Sequence, residues 1–273
     1  MLTRDRKKGA DQARVRAHMP SGTEEILNER TLSFSHRRLD ELLQPGMRVL
    51  DAGCGTGALT RGIFEKTDPG ITVGLDVDAN LIRQARSAQS SAPHYVVADL
   101  YHVPFYRVFD LTSAARVIQW LPFPGRAIEC CISTLRPGGW FLALDYNHEK
   151  IVWDPRPPPS VMVFYEAFLA WRTDAGMDNA IADHLAPDLE RLGLVDIQVA
   201  AHHEHADCSQ TDFKSRLGIW AVVAQTRGLQ MVRDGYLSEL QRATAEADYR
   251  EWLDSTAVSQ TLYLLAVEGR VPK

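Results

Sequence analysis

From about Glu41 onward, short apolar runs alternate with stretches whose apolar residues recur at helical spacing. Residues 47–51 form a short strand-like run, followed by a loop rich in glycine, Gly53-Cys-Gly-Thr-Gly57, and residues 58–66 then read as a helix. Residues 71–76 predict a second strand, 79–89 a second helix and 94–99 a third strand. A fourth strand at 109–115 leads into a helix through Cys130 and Cys131, and a turn at 137–139 precedes a fifth strand at 140–145. Strands and helices alternating at this spacing imply crossover units. The expected fold is therefore α/β and doubly wound, a mostly parallel sheet with helices on both faces.

After Tyr146 the pattern changes. Residues 153–159 hold four prolines, which remove donors and restrict their neighbours, so no regular element is expected there. Val161, Phe164, Tyr165, Phe168 and Leu169 then recur at helical spacing, and 179–192 predicts another helix stopped by Gly193. A sixth strand at 195–200, a helical stretch over 210–247 and a closing strand at 259–267 complete the reading. Three divisions follow: a basic, mobile tail over 1–20, an α/β core over 21–150 that includes an N-terminal helix, and the rest of the core over 151–273. The last part carries helical insertions near 156–175 and 209–255. Insertions in such a sheet usually lie over the carboxyl ends of the strands, where ligands bind, so these are expected to form a substrate cap.

Composition narrows the function. The 273 residues include 30 Lys and Arg against 35 Asp and Glu, a formal charge of −5, which weighs against a dedicated nucleic-acid binder. Only the first twenty residues are basic, with six Lys or Arg against two Asp. No apolar run reaches the length of a membrane span, and the N-terminus lacks the apolar stretch of a secretion signal, so a cytoplasmic setting and no membrane partner are expected. Cys54, Cys130, Cys131 and Cys208 form no paired zinc spacing. His202, His203, His205 and Cys208 crowd together without a recognised ligand spacing, and no metal is expected.

The glycine loop alone fits two cofactors, because Gly53-x-Gly55-x-x-Ala58 also matches a dinucleotide fingerprint. Asp51 favours a cationic ligand over a pyrophosphate, since like charges at close range repel. Asp76 ends the second strand, and a carboxylate there can accept ribose hydroxyls of either cofactor. Asp99 ends the third strand and suits an amino group of adenine. For Asp76 and Asp99 the plain alternative is strand-end turn formation.

VLDAGCGTG, GLDVD, VVADL and LRPGGWFLALDY, in this order over residues 45–150, resemble the class I S-adenosylmethionine-dependent methyltransferases. FDLTSAARVIQWLPFP resembles the small-molecule enzymes of the quinone-biosynthesis and trans-aconitate type. The resemblance implies a seven-stranded, Rossmann-like sheet, S-adenosyl-L-methionine as cofactor and a small-molecule methyl acceptor. By position it implies that Asp51, Gly53, Cys54, Gly55 and Gly57 line the methionine and ribose end. It places Asp76 on the ribose, Val77 beside the adenine, Asp99 and Leu100 at the adenine edge, and Ala115 near the methionine ammonium. Arg30, with His36 behind it, is the candidate for the methionine carboxylate.

Methyl transfer from a sulfonium needs alignment above all, and a base only when the acceptor is protonated. Tyr146, His148 and Glu149 follow the fifth strand, and His148 is the expected base, with Tyr146 as second catalytic candidate. Gln119 and Trp120 could border the acceptor or simply pack. Phe164, Tyr165, Phe168, Trp171, Trp220 and Trp252 read as core or as the lining of a pocket for a flat, apolar acceptor. Arg116, Arg156 and Arg172 could pair with a substrate acid. A nicotinamide-dependent oxidoreductase using the same loop and a non-catalytic cofactor-binding protein remain the alternatives.

Overall fold

The computed structural model describes residues 13, 15–17, 28, 30–88 and 93–273. Most of the basic tail, and Gln89 at the expected end of the second helix, lie outside the described residues. In chain order the elements are α1 (Leu32–Ser35), α2 (Arg37–Leu42), β1 (Arg48–Ala52), α3 (Ala58–Thr67), β2 (Ile71–Asp76), α4 (Ala79–Ser87), β3 (His94–Val97), β4 (Phe109–Ala115), α5 (Pro124–Ser133) and β5 (Leu135–Asp154). They continue with α6 (Pro159–Asp174), α7 (Ile181–Arg191), β6 (Val195–Ala201), β7 (Glu204–Asp207), α8 (Phe213–Leu217), α9 (Ile219–Gln225), α10 (Arg227–Arg233), α11 (Glu239–Ser255) and β8 (Ser259–Arg270). Two compact units result. The α/β unit holds Glu24–Tyr146, Ile181–His202 and Leu264–Lys273; the helical unit holds Met1–Thr23, Asn147–Ala180 and His203–Tyr263.

The sheet runs in the order β3-β2-β1-β4-β5-β8-β6, and β7 adds an eighth strand alongside β8. The pairs β1–β2, β2–β3, β1–β4 and β4–β5 are parallel, whereas β6 and β7 run antiparallel to β8. Every residue of β4 is buried, as expected for a parallel strand covered on both faces. The α/β core gathers Leu50, Leu75, Phe109, Leu135 and Phe141 from the strands with Ile128, Leu185 and Leu189 from α5 and α7. The strand order reverses between β1 and β4, which places the topological switch point at the carboxyl end of β1, where the glycine loop begins.

Three local expectations change. The turn at 137–139 is part of β5, which takes in twenty residues; Gly138 has φ +78° and the β4–β5 register shifts between Phe109 and Leu111, so a bulge replaces the turn. The strand carries Trp153 and Asp154 into the proline stretch, and α6 starts with Pro159 at its first position, where a missing N–H costs nothing. The helical pattern over 210–247 resolves into α8 to α10 and most of α11, with Gly218 and Thr226 between the first three.

Both stretches expected as a cap, 156–175 and 209–255, fall in the helical unit. Its core is aromatic: Phe164, Tyr165, Phe168, Trp171, Trp220 and Trp252 are all buried. The Tyr165 and Trp220 rings meet edge-on with centroids 4.9 Å apart. From the expected tail, Arg16 is buried in this unit. Its guanidinium lies 4.9 Å from the Trp171 ring centroid and donates to Asp234 at 3.1 Å and to the Trp171 carbonyl.

Phe141 is fully buried on β5 in the α/β core. Phe141→Ala should lower stability by about 3–5 kcal/mol, read from the urea unfolding midpoint at unchanged m-value.

Candidate functional site

The site is built by the loop that joins β1 to α3. The backbone takes left-handed φ values at Gly53 (+81°), Gly55 (+55°) and Gly57 (+74°). At Gly57 a side chain is also excluded sterically, because a Cβ there would sit 2.4 Å from the Tyr95 hydroxyl. The loop's amides are engaged by the protein itself. Gly53 and Cys54 donate to the Leu75 carbonyl at 2.7 and 2.9 Å, Gly55 donates to Asp76 Oδ2 at 2.9 Å, and Gly57 donates to the Cys54 carbonyl at 2.9 Å.

Asp76, at the end of β2, is the hinge of this arrangement. One carboxylate oxygen holds Gly55 and the other accepts the Asp78 N–H at 2.9 Å. Burial raises its pKa, opposed by these two backbone donors. An ionised carboxylate offers about four lone-pair sites, so two oxygens already in use still accept further hydroxyls. Val77 beside it is 48% exposed, an apolar surface at the rim.

Asp51 lies at the end of β1 and is 3% exposed. Thr60 of α3 donates its hydroxyl to Asp51 Oδ2 at 2.6 Å. Desolvation pushes Asp51 up to about 6, against the Thr60 hydrogen bond and with help from the Asp76 charge. Burial is also the first cause of the high Cys54 pKa, with Asp51 and Asp76 adding to it. Asp99 accepts the Tyr101 N–H at 2.9 Å and so caps the turn that follows β3, with Leu100 buried behind it. Ala115 is buried at the end of β4. Arg30 lies ahead of α1 in the same unit and is partly buried. All eleven candidates for the cofactor thus belong to the α/β unit.

The two catalytic candidates, Tyr146 and His148, both lie on β5. Tyr146 stays in the α/β unit, where Arg116 Nε donates to its hydroxyl at 3.1 Å. His148 falls in the helical unit. Its ring packs edge-on against Phe168, its backbone N–H donates to the Asn179 carbonyl at 2.7 Å, and burial followed by the Arg172 charge pulls its pKa well below the usual histidine value. Glu149 is exposed nearby. Gln119 is buried and its backbone N–H donates to Asp145. Arg172 is buried and bonded to Asn179. His202 accepts the Arg37 N–H within the α/β unit, while His203 stacks on Tyr263 and His205 meets Thr261 in the other. Among the described residues no group of His, Cys, Asp and Glu is arranged to hold a metal.

Sequence reasoning missed Thr60, Tyr95 and Thr56. Thr56 Oγ1 is buried in the loop with no hydrogen-bond partner among the described residues. Nothing in the spacing signals them; they are found only once the loop is folded.

The methyltransferase-domain family matches residues 50–143. This stretch contains the loop, Asp76, Asp99 and the β4 terminus. The chain is 40% identical over 92 residues to malonyl-[acyl-carrier protein] O-methyltransferase of Pseudescherichia vulneris, covering 33% of this chain and 36% of that protein. It is 34% identical over 162 residues to trans-aconitate 2-methyltransferase of Azoarcus sp., covering 56% of this chain and 60% of that protein. The fold is shared with phosphoethanolamine N-methyltransferase 2 of Haemonchus contortus, solved with phosphomonomethylethanolamine and S-adenosylhomocysteine, at a TM-score of 0.55 and 17% identity over 93% of this chain and 54% of that one. The match spans about a third of the first relative's length. The nicotinamide oxidoreductase alternative finds no support beside this domain match.

Because folding raises the Asp51 pKa from 3.8 to about 6, the neutral form is favoured in the native state. Its stabilising contribution is whole below about pH 4 and is lost as pH rises through about 6. Relative to Asp51→Asn, the wild type should lose on the order of 3 kcal/mol between pH 4 and pH 7, read from urea midpoints. A flat difference would show that Asp51 does not titrate in that window.

Proposed function

We propose that the chain is an S-adenosylmethionine-dependent methyltransferase acting on a small molecule. The observation that carries this reading is the engagement of the loop amides at Gly53, Cys54, Gly55 and Gly57. A pyrophosphate-binding loop turns such N–H groups toward its ligand. Here they hold the protein's own carbonyls and the Asp76 carboxylate, so the loop presents carboxylates rather than amide donors to a ligand.

The residues present fit an adenosyl group joined to an amino acid. Asp76 keeps accepting capacity for ribose hydroxyls, Val77 offers an apolar face, and the buried Thr56 hydroxyl supplies a polar contact in the loop. When bound, S-adenosylmethionine supplies an electrophilic methyl group on a sulfonium. The loop and the strand ends bind and orient; Asp51 adds negative charge beneath the loop. Both curated relatives are named for acceptors that carry carboxylates, and an acidic small acceptor comes to this chain on that likeness.

Equilibrium titration separates this reading from a nicotinamide enzyme. S-adenosylhomocysteine should bind saturably and NADH should not, and Asp76→Ala should weaken the former at least about tenfold, the loss expected when a charged hydrogen-bonding partner is removed. Saturable NADH binding without S-adenosylhomocysteine binding would reverse the assignment.

A further inference from the structure

The helical unit holds a cavity that neither the glycine loop nor the strand ends use. Trp153 of β5, Tyr165 of α6, Trp220 and Ala224 of α9, and Ala245 and Tyr249 of α11 line it, and all belong to the helical unit. Ala224 lies one turn after Trp220, and Ala245 one turn before Tyr249, so each helix presents a ring and a methyl group on one face. The rings set the walls. Tyr165 meets Trp153 edge-on with centroids 5.0 Å apart and Trp220 with centroids 4.9 Å apart. The alanines are too short to close the gap between them. Out to its mouth the space measures about 250 Å³, and its closed end has room for about one water molecule.

The lining is apolar and carries no charged side chain. Its polar atoms are not alike. The Tyr249 hydroxyl donates to the Leu217 carbonyl at 2.8 Å and the Tyr165 hydroxyl donates to the His148 carbonyl, so both phenol hydrogens are in use. Trp220 is only 8% exposed, and its buried Nε1 has no hydrogen-bond partner among the described residues. Trp153 Nε1, near the Tyr249 hydroxyl, is likewise buried without a hydrogen bond. An indole nitrogen only donates, and a buried N–H left without an acceptor is costly and uncommon in folded chains. Two such donors on the walls of one cavity call for an acceptor that the chain does not supply.

We propose that this cavity binds a small, flat, neutral molecule through an accepting oxygen, such as a ketone, ester or ether on an aromatic ring. The oxygen takes the Trp220 N–H at the closed end, and the ring lies toward the mouth in edge-to-face contact with the aromatic walls. Ions of either sign are disfavoured, because an ammonium or a carboxylate would shed its water with no counter-charge on the lining. The ligand therefore differs in chemistry from the acidic acceptor proposed above. The inference stands independently of the methyltransferase reading, since every cofactor candidate belongs to the other unit.

The test titrates acetophenone, ethylbenzene and benzoate into the full chain by calorimetry. The three share a phenyl ring and differ in the group it carries. Acetophenone should bind saturably and about fivefold or more tightly than ethylbenzene, the difference that one buried hydrogen bond makes. Benzoate should bind more weakly than acetophenone by at least the same factor. Trp220→Phe keeps a ring and deletes the N–H, so acetophenone should fall to the ethylbenzene level while ethylbenzene stays within about twofold. Ala245→Leu fills the gap and should abolish binding of both. If Ala245→Leu fails to fold by far-UV circular dichroism, Ala224→Val closes the space from the facing helix and should act in the same way. No saturable binding of acetophenone, the result that a trapped water alone would give, overturns the proposal. So does acetophenone held no more tightly than ethylbenzene or benzoate, or binding that neither Trp220→Phe nor the filling variant changes.

Discussion

The hydrogen bond from the Gly55 amide to the Asp76 carboxylate organises the α/β unit's site. It ties the loop after β1 to the end of β2, and it makes an anion part of the loop's own structure. A carboxylate in that position engages a donor that a phosphate would otherwise need. Asp51, buried under the same loop and bonded to Thr60, adds a second acid whose ionisation is costly until something positive approaches. Together the two acids give the loop region a negative electrostatic character.

The sequence made the α/β scaffold readable because its elements are locally encoded. The strands at 71–76 and 109–115 were visible as apolar runs closed by polar residues, and Asp76 stood out by its distance from the last glycine. The bulge at Gly138 was hidden because Pro-Gly-Gly reads as a turn unless the neighbouring strand is present to continue the ladder. β7 was hidden because four residues, His-rich at their flank, carry no period. The breaks within 210–247 were hidden for the opposite reason: helical spacing persists across Gly218 and Thr226 although the backbone does not.

Side-chain roles were less legible than elements. His148 reads as a base because imidazole titrates near neutrality; in the fold its ring packs against Phe168, and burial followed by the Arg172 charge lowers its pKa. Tyr95 was silent in sequence and turns out to set the limit on residue 57 through its hydroxyl. Arg116 reads in the sequence as a possible partner for a substrate acid; its left-handed backbone and its bond to Tyr146 belong to the folded chain. Asp99 kept the local role that aspartates so often take, since its carboxylate caps the turn at Tyr101.

The interleaving of the two units has a consequence for how the protein is made. β6 has β8 as its partner in the sheet, and the part of β8 that completes the α/β unit lies within Leu264–Lys273. The stretch His203–Tyr263 of the other unit separates β6 from that part of β8 in the chain. On the ribosome, then, β6, at the end of the sheet order, emerges without its sheet neighbour and waits through the synthesis of four helices for it. A nascent chain stalled in this interval presents an unpaired edge strand, which makes the late strand a checkpoint for aggregation during translation.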